Sequence, residues 1–507
     1  MTQAAKSRGR VLLIQLDAAD ATLLEAGIDR GELPSFARLS NEGAWGQLDD
    51  PPGFGSGAAW ACFATGVSPA SHGRYFYRQV GPGSYEARAF EAADFRVRPV
   101  WEALSDAGRR VAVFDAPSMA VSEGLNGLSV ADWLTHDLVY PGLRTSPADF
   151  ASELVTRFGG NALRKCDQPG GRDREGHRQL LKQLVDRIGQ KERAIRHYWS
   201  SEPWDFLSVA FAEPHCVGHQ CWHLRDPSHP LHDPADLAAL GDPVMAVYAA
   251  LDAAIGRLVE AAGPDTTVLV VSATGMGPNY TANLVLDEML RRIDGVDAKL
   301  EVAATARLKQ GLKRVLPVGI RRRYRPLKRR VEESLVSGDR SRRPSFAVPH
   351  NDISGAIRLN VVGREARGVL RRGPELETYV KELCHQLSQV RNLDTGQPVV
   401  ERIVRVAEVC QGPALDELPD LFVLWRRNAY PDRLGSERIG EIGFRHRGNR
   451  TGDHLPGHVF FARGPGIAPG RLDGLSIYDF APTLAAVVGV DPPPSDGRVV
   501  EALVGRG

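Results

Sequence analysis

Five short runs along the chain are apolar on consecutive residues: VLLIQL (11–16), RVAVFD (110–115), DFLSVAF (205–211), TVLVVS (267–272) and DLFVLW (420–425). A strand that is apolar on both of its faces must be covered on both, so each run reads as a buried strand. Between them lie stretches with apolar residues at helical spacing, namely VRPVWEALSDAG (97–108), HRQLLKQLVDRIGQKERAIRHYW (177–199) and VMAVYAALDAAIGRLVEAAG (244–263). Alternation of the two patterns predicts an α/β chain whose central sheet is largely parallel and covered by helices on both faces. No repeat of the solenoid kind interrupts it.

The rhythm breaks at 305–343, where RLKQGLKRVLPVGIRRRYRPLKRR is dense in Arg and Lys and is cut by Pro317 and Pro326. A proline-broken cationic run cannot supply a buried strand without a large desolvation cost, which makes it a peripheral cap. The expected division is therefore core over 1–280, basic cap insertion over 281–345 and core again over 346–507. Such a cap is either a solvated helical cover or a lid that draws in an anionic substrate, partner or lipid surface.

Composition narrows the class. With 507 residues, 43% hydrophobic and 25% charged, the chain is neither disordered nor fibrous. A net charge of +1 gives no global attraction to nucleic acid or membrane, and no nucleic-acid-binding motif is present. The six cysteines (Cys62, Cys166, Cys216, Cys221, Cys384 and Cys410) contain no CxxC pair and fit reduced thiols, which favours the cytoplasm. VLLIQL is too short for a signal core or a membrane span and stops at Asp17, so neither is expected.

Four places carry candidate chemistry. Asp17 ends the first strand, where open α/β sheets place ligands, although an Asp there also suits a helix N-cap. Ser56 sits in the glycine-rich loop PPGFGSGAAWACFATG (51–66), before a helical pattern from about Ala58. Its hydroxyl either attacks an electrophile held by the loop or only caps the helix. In EPHCVGHQCWH (213–223), His215 and His219 at i and i+4 share a helix face, as two ligands of one metal do and as incidental surface histidines also do. His454 lies in a loop before the apolar run VFFA within RTGDHLPGHVFFARGPGI (450–467). Three imidazoles from these positions would leave an open coordination position for water or substrate.

Taken in order, these segments resemble the type I phosphodiesterase/nucleotide pyrophosphatase branch of the alkaline-phosphatase superfamily. LPSFARLSNEGAWG (33–46), SGAAWACFATGVSPASHG (56–73), NDISGAIRLNVVGREARGVL (351–370), LPDLFVLW (418–425) and IYDFAPTLAAVVGVDPPPSDGRVV (477–500) carry the likeness. The resemblance implies an alkaline-phosphatase-like fold, a nucleophile at Ser56 and a metal-binding Asp17. It also implies one metal site at His215, His219 and His454, with His215 where the family has aspartate. The family's second site needs an Asp-His pair after TVLVVS, and this chain has Ala273 and Thr274 there. Only Asp17 of that triad remains.

The expectation is therefore a hydrolase or group transferase with one divalent ion, Zn2+ by donor type. Its partner would be a small anionic substrate: a nucleotide, phosphodiester, pyrophosphate or related phospho/sulfo ester. The competing class is a catalytically silent member that binds an anionic ligand or a protein partner. Glu213, beside the histidine pair, is a candidate replacement for the lost carboxylate.

Overall fold

In the computed structural model, the Arg10–Leu16 strand lies at the centre of a ten-stranded sheet, between Phe206–Phe211 and Thr266–Ser272 and parallel to both. Parallel pairing continues outward through Val111–Phe114 to Gly127–Ala131. On the other side, His458–Arg463 runs antiparallel between Thr266–Ser272 and Ala44–Asp49. The residues described are 9–49, 51–136, 139–140, 142–163, 166–167, 171–296, 338–351, 353–443 and 449–505.

The sheet is parallel and central because its strands can be buried on both faces. Along Arg10–Leu16, Leu12, Ile14 and Leu16 enter one core while Val11 and Leu13 enter the other, following the two-residue period of a strand. The first core is closed by Arg174–Ser201 (Leu184, Ile188) and Pro243–Ala262 (Leu251, Ile255). The second is closed by Ser56–Thr65 (Trp60, Phe63) and Phe480–Val487 (Leu484). Each such fully buried side chain contributes roughly 1.5–3 kcal/mol.

The long helices start where a cap is available: Asp173 accepts from Gly176 N, and Asp242 accepts from Val244 N and Met245 N ahead of Pro243. Pro234–Ala262 is long and apolar enough to cross a membrane by length and composition alone. It is divided at Asp242, and the apolar face of its second part is core. None of the six cysteines is in a disulfide.

The chain forms two compact units, the first comprising residues up to Tyr75, Glu91–Asn279 and the stretch from 447 onward, the second Phe76–Phe90 and Tyr280–His446. The second holds an antiparallel sheet in the order Ser345–Val348, Ser354–Leu359, Leu421–Trp425, Val400–Arg405. Leu421–Trp425 is thus a strand, but of this sheet and not of the parallel one. A run of five apolar residues fits either sheet when both are covered.

The stretch 346–507 divides between the units, whereas the sequence placed it in one core. Within 281–345, Leu286–Ile293 packs Leu286, Met289 and Leu290 into the second unit's core, so this part is no mere cover. Most of the basic segment 305–343 lies outside the described residues.

Candidate active site at the carboxyl edge of the sheet

Three strands of the parallel sheet end in a non-glycine residue held at positive φ: Ala18 (57°), Asp115 (55°) and Asp132 (61°). Backbone held in this sparsely populated region clusters at functional edges, where it re-aims neighbouring side chains. Asp17 precedes Ala18, and its amide donates to Phe211 O at 2.9 Å. The helix cap that Asp17 was a candidate for belongs to Asp20, whose Oδ1 accepts from Leu23 N at 3.0 Å. Asp17 Oδ1 accepts instead from Trp60 Nε1 at 3.2 Å.

Ser56 is the first residue of its helix, two positions earlier than the apolar pattern suggests, with Gly55 as the cap. Trp60 lies four residues on, so Ser56 and the tryptophan that holds Asp17 share a helix face. Arg74, buried, packs over the start of this helix, where a Cβ on Gly57 would lie 3.6 Å from its Nε. Its guanidinium donates to Ser118 O. The sequence reading passed over Arg74, although it follows directly on the SPASHG end of the nucleophile motif.

His215 and His219 lie on the helix Glu213–Arg225, one turn apart and buried. His454 is in a short strand, Gly452–Leu455, and not in a loop; it pairs antiparallel with Gly275–Pro278, with His454 opposite Met276. One donor atom from each of the three lies within 4.8 Å of the others, and His215 Nε2 is 3.1 Å from His219 Nε2. Two glycines allow this convergence. A side chain at Gly218 would collide with Met276, and one at Gly452 with the Gly218 carbonyl.

The imidazoles are oriented from behind. His219 Nδ1 lies 2.7 Å from Gly452 O, which can only accept, so Nδ1 carries the proton and Nε2 keeps its lone pair. His454 Nδ1 lies 3.1 Å from Asp453 Oδ1 in the same sense. Burial holds His215 and His219 well below the usual histidine range, helped by neighbouring cationic or imidazole groups. Neutral imidazoles with carbonyl or carboxylate partners behind them suit a metal ion.

Glu213 does not join the three histidines. It is fully buried, with Oε1 accepting from Arg187 Nε at 2.8 Å and 3.8 Å from Lys191 Nζ. Lys191 also lies 3.9 Å from Asp115 Oδ2, and Asp115 accepts from Trp133 N and Leu134 N, both at 2.8 Å. Two acids and two bases therefore balance beneath the histidine helix. Ala273 is part of the apolar core, and Thr274 is fully buried with Oγ1 unpaired.

Two further buried histidines set a pH response. Burial pushes His72 down to about 3, with the charge of Arg74 adding to it, and His458 down to about 4. The unfolded chain, with histidines near ~6.5, takes up these protons first as pH falls. The stability their neutrality supplies is complete above about pH 6.5 and is lost as pH falls towards the folded values, at about 2 kcal/mol per histidine by about pH 5. Denaturant unfolding of the parent should follow this slope, and His72→Gln should flatten it; an unchanged slope in the variant would exclude His72 as a contributor.

An acidic strand end, a serine at a helix N-terminus and three convergent imidazoles on the carboxyl edge of a covered parallel sheet define an alkaline-phosphatase-like protein. The family model for type I phosphodiesterase / nucleotide pyrophosphatase matches residues 11–374, and the chain belongs to that family. The fold is similar to that of phosphonoacetate hydrolase from Sinorhizobium meliloti 1021. Its phosphonoacetate complex gives a TM-score of 0.54 at 14% identity, covering 95% of this chain and 96% of that one. The phosphonoformate complex gives 0.52 at 15% over the same shares. Murine ectonucleotide pyrophosphatase / phosphodiesterase 5 gives 0.49 at 11%, over 96% and 97%. No curated protein matches the sequence.

Proposed function

We propose that this chain is a metal-dependent hydrolase of phosphodiesters, pyrophosphates or related phospho esters, with one divalent ion, Zn2+ by donor type, at His215, His219 and His454. The observation that carries the reading is the convergence of the three imidazoles, one donor atom from each lying within 4.8 Å of the others, with His219 and His454 oriented from behind by Gly452 O and Asp453 Oδ1. Bound there, such an ion polarises an oxygen of the substrate and lowers the pKa of its water to about 7.

The chain's own groups divide the remaining work. The unpaired amides at the start of the Ser56 helix, with its dipole, hold an anionic oxygen, and Arg74 beside them adds a positive charge. Asp17 is oriented by Trp60 on the same side. With Ala273 and Thr274 where the family has its Asp-His pair, Ser56 lacks the partner that would deprotonate it, and its hydroxyl serves as a hydrogen-bond donor to the substrate.

The burial of Ala273 in the apolar core favours a second reading, a silent member that binds an anionic ligand without turning it over. Metal analysis of the purified chain, combined with dinucleotide, pyrophosphate, phosphonate and sulfate-ester substrates and with alcohol acceptors, separates the two. Turnover of one class that disappears on chelation and returns with metal is expected, with water or the acceptor in the product distinguishing hydrolysis from transfer. Saturable anion binding with no turnover at full metal occupancy would establish the silent reading instead.

A further inference from the structure

A second group of donors lies against the three histidines. Donor atoms of His136, His215 and Cys216 fall within 4.8 Å of one another. Cys166 Sγ is 2.8 Å from His136 Nδ1, and the nearby Cys166 thiol together with burial pushes Cys216 well above the ordinary thiol range. Both cysteines are buried, at 1% and 0% exposure. The rings of His136 and His215 are 4.2 Å apart at their centroids. His215 Nδ1 is buried without a hydrogen-bond partner while Nε2 faces His219, so one of its nitrogens is uncommitted.

We infer that His136, Cys166 and Cys216, with His215 at the border, form a second metal site of thiolate and imidazole donors. Two cysteines and a histidine brought together from residues 136, 166 and 216 gain at best weak hydrogen bonds as neutral groups, which is a poor reason to bury them together. As metal ligands they form a two-sulfur, two-nitrogen set, the donor pattern of tetrahedral Zn2+.

Charge supports the assignment. Arg187, Lys191, Asp115 and Glu213 cancel among themselves, so a buried dication next to them needs its own anions. Two thiolates supply them: each thiol loses its proton to solvent as the ion binds, and with both sites filled His215 bridges the two ions as an imidazolate, its remaining N–H proton also passing to solvent. His215 belongs to both groups, so occupancy of one site restrains the histidine that the other uses.

Cobalt(II) titration of the metal-free full-length chain tests this without any turnover. A cobalt ion held by thiolate shows a sulfur-to-metal charge-transfer band in the near ultraviolet, which an all-imidazole site lacks. The band is expected in the parent, lost in Cys166→Ser/Cys216→Ser and retained in His219→Ala/His454→Ala, with each variant binding one ion fewer per chain. Should the cysteine variant not fold, protection of Cys166 and Cys216 from alkylation by Cd2+ in the parent gives the same answer. Cobalt bound without the band, a band that survives loss of both cysteines, or a Cys166–Cys216 disulfide that excludes metal would overturn the inference.

Discussion

His219→Ala is expected to lower turnover of the true substrate by on the order of 10²-fold or more, and to lower it further than Ser56→Ala does. The ranking inverts that of a two-metal relative, where nucleophile and second metal act as a unit and removal of either disables one step. Here Ala273 and Thr274 stand where the resemblance places the second site's Asp-His pair, Thr274 Oγ1 is unpaired and Ala273 is core. Ser56 keeps the helix amides and Arg74 around it, so truncating its hydroxyl removes one donor among several. His219 has no such substitute: its Nδ1 is spent on Gly452 O, and its Nε2 is the atom that meets His215. Steady-state kinetics on both variants, with metal content and circular dichroism as controls, decides the order. A larger loss in Ser56→Ala, or a covalent adduct on Ser56, would restore the serine as nucleophile.

Glu213→Leu is expected to destabilise the fold by about 3–5 kcal/mol, one of the largest effects available to a single substitution here. It would leave Arg187 and Lys191, both buried, with Asp115 as their remaining carboxylate partner in the cluster. Removing the opposite charge as well should help: Glu213→Leu/Arg187→Met is expected to be more stable than Glu213→Leu alone, because the pair's desolvation cost disappears with it. Denaturant melts of the two variants and the parent measure both differences. A double variant no more stable than Glu213→Leu would mean that the arginine's bond to Leu134 O, made at 2.6 Å, matters more than its charge.

The parallel sheet was legible because four of its strands are mostly apolar on consecutive residues and buried along nearly their whole length, a pattern that few other environments tolerate. DLFVLW satisfies the same pattern and belongs elsewhere, since an apolar run records that a strand is covered and not which sheet covers it. Asp17 and Asp20 stand three residues apart and compete for one cap on sequence alone; the positive φ of Ala18 separates them, and no residue type announces it. His215 and His219 are visible as an i, i+4 pair. His136 and Cys166 are not, because they reach the helix from separate segments with no fixed spacing. Glu213 looked like a spare ligand because His215 lies two residues on; Arg187, on another helix, claims it.

The position of His458–Arg463 between Thr266–Ser272 and Ala44–Asp49 governs when the protein can become itself on the ribosome. Among the described residues, Ala44–Asp49 pairs only with segments beyond residue 457, so it waits for these partners while some four hundred further residues are made. A nascent chain stalled before that point carries an open strand edge and an unfinished histidine cluster, since His454 has not yet emerged. Such edges invite pairing with other chains, and closing them over so long a loop is slow. On the proposed metal-dependent reading, folding late means loading late, since His215, His219 and His454 are all in place only once the sheet has closed.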